Sequence, residues 1–321
     1  MLDHLTTIPR YVVGQADLRR LTHYNSKNIV DQYHSFILHA TVDLAPSTAK
    51  DYSYKLRAFI KFCLKSKVSQ LEDIGTDHIR GFIVHMQQSN SPKSVNGYFK
   101  VVQSFFGWLV YEGRLESNTT QRVKAPKVPH KIVKIFRPDH IRDILLLCGD
   151  GTKTGVRNKA MVLVLLDTGL RLSELVRIQV DDIDIKRGII TVMGKGAKQR
   201  VVGICKATIK AIIEYYESSA GEHPQLWLTE EGKPLTYEGI SSIFKTLKRR
   251  AGFKDVRLSA HIFRHTSGTM ALLNGATQRE VQDLLGHSTP RMTQEYTANI
   301  NSQHAVLQHK NFSPVGRLGI K

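Results

Sequence analysis

Asp167-Thr168-Gly169-Leu170-Arg171-Leu172-Ser173-Glu174-Leu175 is the stretch on which the reading of the second half of this chain turns. It follows an apolar run, Met161 to Leu166, which is far shorter than the roughly 20 apolar residues of a membrane span and sits inside a helical pattern over 156–167. The Gly-Leu-Arg turn breaks that helix, and the pattern resumes over 172–178, so Arg171 stands at a helix start, where backbone N–H groups favour a phosphate. Working outward, Gly188 to Gly203 reads as a hairpin in which Ile189-Ile190-Thr191-Val192 and Arg200-Val201-Val202 flank Gly194-Lys195-Gly196. The residues beyond it read as mostly helical, with one more strand expected at Leu226-Trp227-Leu228. On the N-terminal side, Pro138 sits at the first position of a helix over 138–148.

The front of the chain carries a different pattern. A short helix is expected over 27–40, with Ile29, Tyr33, Phe36 and Ile37 on one side. A clearer one follows Pro46, with Tyr52, Leu56, Phe59, Ile60, Cys63 and Leu64 inward and Lys50, Lys55, Lys61 and Lys65 outward. Thr76 is a suitable N-cap for a third, and Ser91-Pro92 open a fourth that Gly113 stops. Residues 1–24 show no sustained periodicity and stay unassigned. The expected organisation is a helical domain over 25–117, a basic linker with two prolines over 118–137, and a second domain over 138–321. The fold class is therefore mainly α with a small antiparallel β-sheet, the sheet belonging to an α+β second domain.

Charge supplies the first functional clue. The 321 residues hold 46 Lys and Arg against 28 Asp and Glu, a formal net charge of +18. The excess is shared: 17 basic against 10 acidic residues up to His130, and 29 against 18 beyond it. Two basic bodies suit a common polyanion better than one sticky tail does, although a ribosomal or membrane-surface role would show the same excess. Asp3, His4, Pro9 and Arg10 interrupt the N-terminus where a secretory signal needs an apolar core, so an intracellular, cytoplasmic protein is expected. Cys63, Cys148 and Cys205 have apolar neighbours and read as reduced core thiols. No internal repeat, Walker loop or zinc-ligand spacing is present, and no metal or other cofactor is expected.

Three further motifs complete the pattern. Ala260-His261-Ile262-Phe263-Arg264-His265-Thr266 holds a His-x-x-Arg spacing; Leu284-Leu285-Gly286-His287-Ser288 is followed by Glu295-Tyr296-Thr297; and the Gly-Lys-Gly turn carries Lys195. Each is weak alone. In this order, with Lys195 24 residues beyond Arg171 and Tyr296 nine beyond His287, they resemble the signature boxes of the tyrosine recombinase (phage-integrase, Xer-like) family. The front helices also look like that family's core-binding, SAM-like domain. The resemblance implies a two-domain C-shaped clamp around DNA, and a site-specific recombinase that cleaves and rejoins strands through a 3′-phosphotyrosyl intermediate.

The same resemblance assigns roles. Tyr296 is the nucleophile, Arg171 and Arg264 clamp the phosphate, His261 is the base, His287 donates a hydrogen bond, and Lys195 protonates the leaving 5′-oxygen. The chemistry asks for these types. Guanidinium stays charged and forks onto two phosphate oxygens, while a phenol with a pKa near 10 needs a base. Glu174 takes the position that supports the arginine, with a plain salt bridge as the simpler reading. Lys198 rivals Lys195 or contacts the DNA backbone, and Lys124, Lys127 and Lys131 of the linker are expected on phosphates. His265 is expected to point into the fold or to bond its own backbone. The partners implied are double-stranded DNA with a specific recombination site and a homo-tetramer, or one of related subunits, in the synaptic complex. Ala305-Val306-Leu307 is a candidate subunit contact. A type IB topoisomerase, relaxing DNA without site choice, and a catalytically idle DNA-binding protein of the same fold are the alternatives.

Overall fold

The computed structural model describes residues 26–129, 133–149, 151–194, 199–219, 223–286 and 309. The chain divides into two compact units, Met1–His130 and Lys131–Lys321.

The described part of the first unit is helical. Helix α1 (Ile29–Asp43) starts at Asn28, whose side chain accepts from the Val30 N–H, and α2 (Pro46–Lys65) starts on a proline that lacks only an N–H the first turn would leave unpaired. Helix α3 (Thr76–Gln87) begins on the expected cap itself: Gly75, one residue earlier, is the N-cap, and its N–H donates to His78 Nδ1 at 3.2 Å, which leaves Thr76 inside the helix. Helix α4 (Pro92–Tyr111) is capped by the Ser91 side chain, and the chain leaves it through Gly113 at φ 67°. The core is aromatic. Phe59 meets Phe82 edge-on with ring centroids 5.1 Å apart, and Phe36 meets Phe105 at 5.4 Å. A 3-10 turn at Thr119–Arg122 packs Val123 against this core, after which Lys124 and Lys127 lie exposed on irregular backbone.

The second unit is built round a buried helix. After α5 (Pro138–Cys148), α6 (Lys153–Thr168) buries Ala160, Met161, Val162, Val164 and Leu165, residues spread round its circumference, and it packs against α8 (Lys206–Ser218) and α10 (Ala260–Leu273). A five-residue α7 (Leu172–Val176) leads to a three-stranded antiparallel sheet of order β1 (Ile183–Asp184), β2 (Ile189–Met193), β3 (Gln199–Gly203). The hairpin expected from the sequence is present, and β1 joins it through a turn in which Asp184 Oδ1 accepts the Arg187 N–H and Gly188 takes φ 65°. Helices α9 (Tyr237–Ala251) and α11 (Gln278–Leu285) complete the described part of the unit. The architecture is mainly α with a small antiparallel sheet, as the sequence implies.

Two further expectations need correcting. Leu226-Trp227-Leu228 forms no strand, only isolated bridges of Gln179 with Gln225 and of Leu228 with Pro234. The Leu228–Pro234 bridge is closed by the Leu235 N–H donating to Trp227 O at 2.8 Å and the Thr229 N–H donating to Lys233 O at 2.7 Å and goes no further, and Trp227 is fixed by burial and by its Nε1–H donating to Leu175 O at 2.8 Å. Cys63 and Cys148 are buried, but Cys205 is exposed. It is the N-cap of α8, where its N–H donates to Asp167 Oδ2 at 2.6 Å.

Candidate active site

Helix α6 ends on Gly169 at φ 61°, whose N–H closes the last turn onto Leu165 O at 3.0 Å. A side chain there would meet the Leu285 side chain and, at 3.1 Å, Ser267 Oγ, so α10 and α11 approach the turn closely because it is glycine. Arg264, buried on α10, fills that junction. Its Nη1 donates to Gly169 O at 2.8 Å and its Nη2 to Leu285 O at 2.7 Å. One guanidinium thus joins the end of α6 to the end of α11.

Two residues past Gly169, Arg171 becomes the N-cap of α7. Its N–H donates to Glu174 Oε2 at 2.8 Å, its Nη1 to Glu174 Oε1 at 2.9 Å, and its Nη2 to Gly286 O at 3.3 Å. The Arg171 side chain keeps 33% of its surface exposed, whereas Glu174 keeps 3%. From β3, Arg200 places Nη1 2.8 Å from Glu174 Oε1 and Nη2 3.0 Å from Oε2. Burial alone would raise the Glu174 pKa; the hydrogen bonds from Arg200 and from the Arg171 backbone, together with the Arg200 charge, outweigh it and hold the carboxyl below its ordinary value.

His261 is exposed one turn before Arg264, and its Nε2 lies 2.9 Å from Nε2 of the buried His265, the rings edge-on with centroids 4.4 Å apart. His265 therefore points into the fold, one of the two outcomes expected for it, and its ring bonds the His261 side chain. A groove of about 650 Å³ joins Arg171, His261 and Arg264 to Lys245, Lys248 and Arg257, and no carboxylate is among its described lining residues. Such a surface favours an anion with several oxygens.

The structure thus brings together Arg171, Glu174, His261 and Arg264. Lys131, Lys195, Lys198, His287, Tyr296 and the Ala305-Val306-Leu307 segment lie outside the described residues. Sequence reasoning missed Arg200, Lys245, Lys248 and Arg257. For two of them a signal existed: Lys245 and Lys248 share a helix face at spacing i, i+3. It also missed Asp167, whose Oδ2 accepts from Thr208 Oγ1 at 2.7 Å as well as from the Cys205 N–H, fixing α8 to the end of α6. Among the described residues no cluster of His, Cys, Asp and Glu could hold a metal, and no helix is long and apolar enough to cross a membrane.

Comparison with known proteins places this arrangement. Residues 134–303 match the phage integrase family, and residues 32–113 match the N-terminal SAM-like domain of phage integrases. The chain belongs to the phage integrase family. Membership makes it a tyrosine recombinase, an enzyme that cleaves and rejoins DNA strands in site-specific recombination. Its relatives include the tyrosine recombinase XerD of Listeria monocytogenes serovar 1/2a, 31% identical over 79% of this chain and 88% of that protein. Another is the tyrosine recombinase XerC of Herpetosiphon aurantiacus, 30% identical over 86% of this chain and 92% of that protein. Among solved structures, a lambda integrase dimer bound to a COC′ core site shares the fold, with a TM-score of 0.73 at 16% identity over 93% of this chain and 84% of that one.

Proposed function

We propose that the groove between Arg171, His261 and Arg264 seats the scissile phosphate of a DNA duplex, and that Tyr296 attacks it. The supporting observation is the pair of anchored guanidiniums, Arg171 on Glu174 and Gly286 O and Arg264 on two helix-end carbonyls, facing a groove free of carboxylates among its described lining. Displacement at phosphorus builds negative charge on the non-bridging oxygens, and fixed cations aimed there stabilise it without reorganising. His261 takes the phenolic proton as Tyr296 Oη bonds to phosphorus. The bond to the 5′-oxygen breaks, its electron pair leaves with that oxygen, and Lys195 supplies the proton. His287 donates a hydrogen bond to the phosphate. The product is a 3′-phosphotyrosyl ester and a free 5′-hydroxyl. Because the ester conserves the energy of the broken bond, a 5′-hydroxyl from another strand reverses the step with no nucleotide consumed.

The substrate in this reading is double-stranded DNA carrying a specific recombination site, exchanged within a tetramer of this chain or of related subunits in the cytoplasm. The lambda integrase structure was solved as a dimer on a core site, and a XerH structure was solved bound to a palindromic difH substrate after cleavage. Residues 25–117 act as the core-binding domain, 118–137 as the linker and 138–321 as the catalytic domain. Lys124, Lys127, Lys131 and Lys198 contact backbone phosphates, and Lys245, Lys248 and Arg257 extend the positive surface beyond the reacting phosphate.

The test uses a nicked substrate whose cleaved fragment diffuses away and traps the intermediate. Wild type is expected to give a band that survives denaturant and disappears with protease. Tyr296→Phe should bind the same DNA and give no such band. An unchanged band would place the nucleophile elsewhere.

A further inference from the structure

Arg200 does not line the groove, yet it is bound to the site more tightly than a surface strand residue needs to be. An ionised carboxylate offers about four lone-pair positions. Those of Glu174 carry four donors in a symmetric pattern. Oε1 accepts from Arg171 Nη1 at 2.9 Å and Arg200 Nη1 at 2.8 Å; Oε2 accepts from the Arg171 N–H at 2.8 Å and Arg200 Nη2 at 3.0 Å. Each oxygen serves both arginines.

The charge balance follows from this geometry. Arg171 with Glu174 alone would form a neutral pair, and the buried carboxylate would weaken the attraction of Arg171 for phosphate. Two cations on one anion leave a net positive charge, and of the two it is Arg171 that lines the groove. Arg200 comes from the hairpin, opposite Val192 and on the face of Val202, so the sheet delivers a cation to the inward side of the carboxylate. Gly286 closes the arrangement: its carbonyl accepts from Arg171, and a Cβ on it would stand 3.0 Å from the Arg200 guanidinium carbon.

We infer that Arg200 is a positioning residue for strand cleavage, which neutralises and locks Glu174 so that Arg171 meets the phosphate as an uncancelled cation. This inference rests on the assignment of Arg171 to the phosphate.

The test follows the trapped covalent adduct formed by the full chain. Arg200→Met keeps the aliphatic stem and removes the charge. It is expected to slow cleavage by about 10²-fold, comparable with the loss of one preorganised donor. DNA binding in a gel-shift assay should stay within about threefold, since Arg200 does not line the groove and its removal acts on the transition state. Adding Glu174→Gln to Arg200→Met removes the anion that Arg200 had offset, so the double variant should cleave faster than Arg200→Met. A purely structural arginine predicts the opposite, because a second lesion in one packed cluster does not restore the first. A double variant as slow as the single, or an Arg200→Met at wild-type rate, overturns the inference. Should Arg200→Met fail to fold, Arg200→Lys against Arg200→Gln decides the same point, because only lysine keeps the charge: lysine faster supports the inference, and equal rates reject it. Arg171→Ala separates the two levels. If it cleaves normally, the assignment of the phosphate site fails; if it is inactive while the Arg200 variants are not, only the role of Arg200 fails.

Discussion

A lysine that protonates a leaving group and a lysine that merely touches DNA give different signatures, which separates Lys195 from Lys198. If Lys195 is the general acid, Lys195→Ala should cleave ordinary DNA about 10²–10⁴-fold more slowly. Replacing the bridging 5′-oxygen by sulfur removes the need for a proton, since a thiolate leaves unassisted, and should restore that variant to near the wild-type rate. Arg171→Ala should gain nothing from sulfur, because the role proposed for it is on the non-bridging oxygens. Lys198→Ala should show a mild defect that sulfur does not repair. Sulfur rescue of Lys198→Ala alone would exchange the two roles. At this scale the legible residues were those whose chemistry is fixed by a motif: Arg171, Glu174, His261 and Arg264 all meet round one groove or its support. Arg200 was illegible for a physical reason. Arg200-Val201-Val202 reads as a strand with one polar end, and nothing local says that a buried carboxylate 26 residues earlier waits on the inward side.

The elements that carry the site meet at Gly169. Its φ of 61° costs an L-residue roughly 1–2 kcal/mol, and the Leu285 side chain already occupies the space a Cβ would take. Gly169→Ala should therefore lower the thermal midpoint by several degrees, at about 2–4 °C per kcal/mol for a unit of this size. It should also depress covalent-adduct formation, because Gly169 O is one of the two carbonyls holding Arg264. An alanine variant with unchanged midpoint and unchanged adduct would show that α6, α10 and α11 can part without loss. Among the elements, α2 and α4 were readable because a proline at the first helical position and a long one-sided apolar pattern agree. β1 was not, since two residues are too few for any alternation, and it exists only as a partner for β2. Leu226-Trp227-Leu228 misled for the opposite reason: its apolar run serves burial, and its backbone bonds, such as the Leu226 N–H to Ile178 O, stop at isolated bridges without growing into a ladder.

For the whole molecule, charge excess in both halves predicts binding that weakens steeply with salt, because each phosphate neutralised by Lys or Arg releases condensed counterion. Neutralising Lys124, Lys127 and Lys131 together should flatten the log–log plot of affinity against salt by about 0.9 for every phosphate on duplex DNA that is left without its cation, with little change in the choice of site. An unchanged slope would remove the linker from the DNA. The fold class was legible at this scale because helix-length apolar periodicity dominates both halves and a single hairpin interrupts it. How the Arg264 junction was built was not, since carbonyls at two helix ends leave no mark in a sequence. That junction has a thermodynamic consequence. A free arginine side chain holds about 2 kcal/mol of rotamer entropy, and Arg264 has surrendered much of it to Gly169 O and Leu285 O during folding. In the proposed site, DNA would meet a cation whose disorder is already spent, and the ordering cost that would otherwise fall on every catalytic encounter would fall once, when the chain folds.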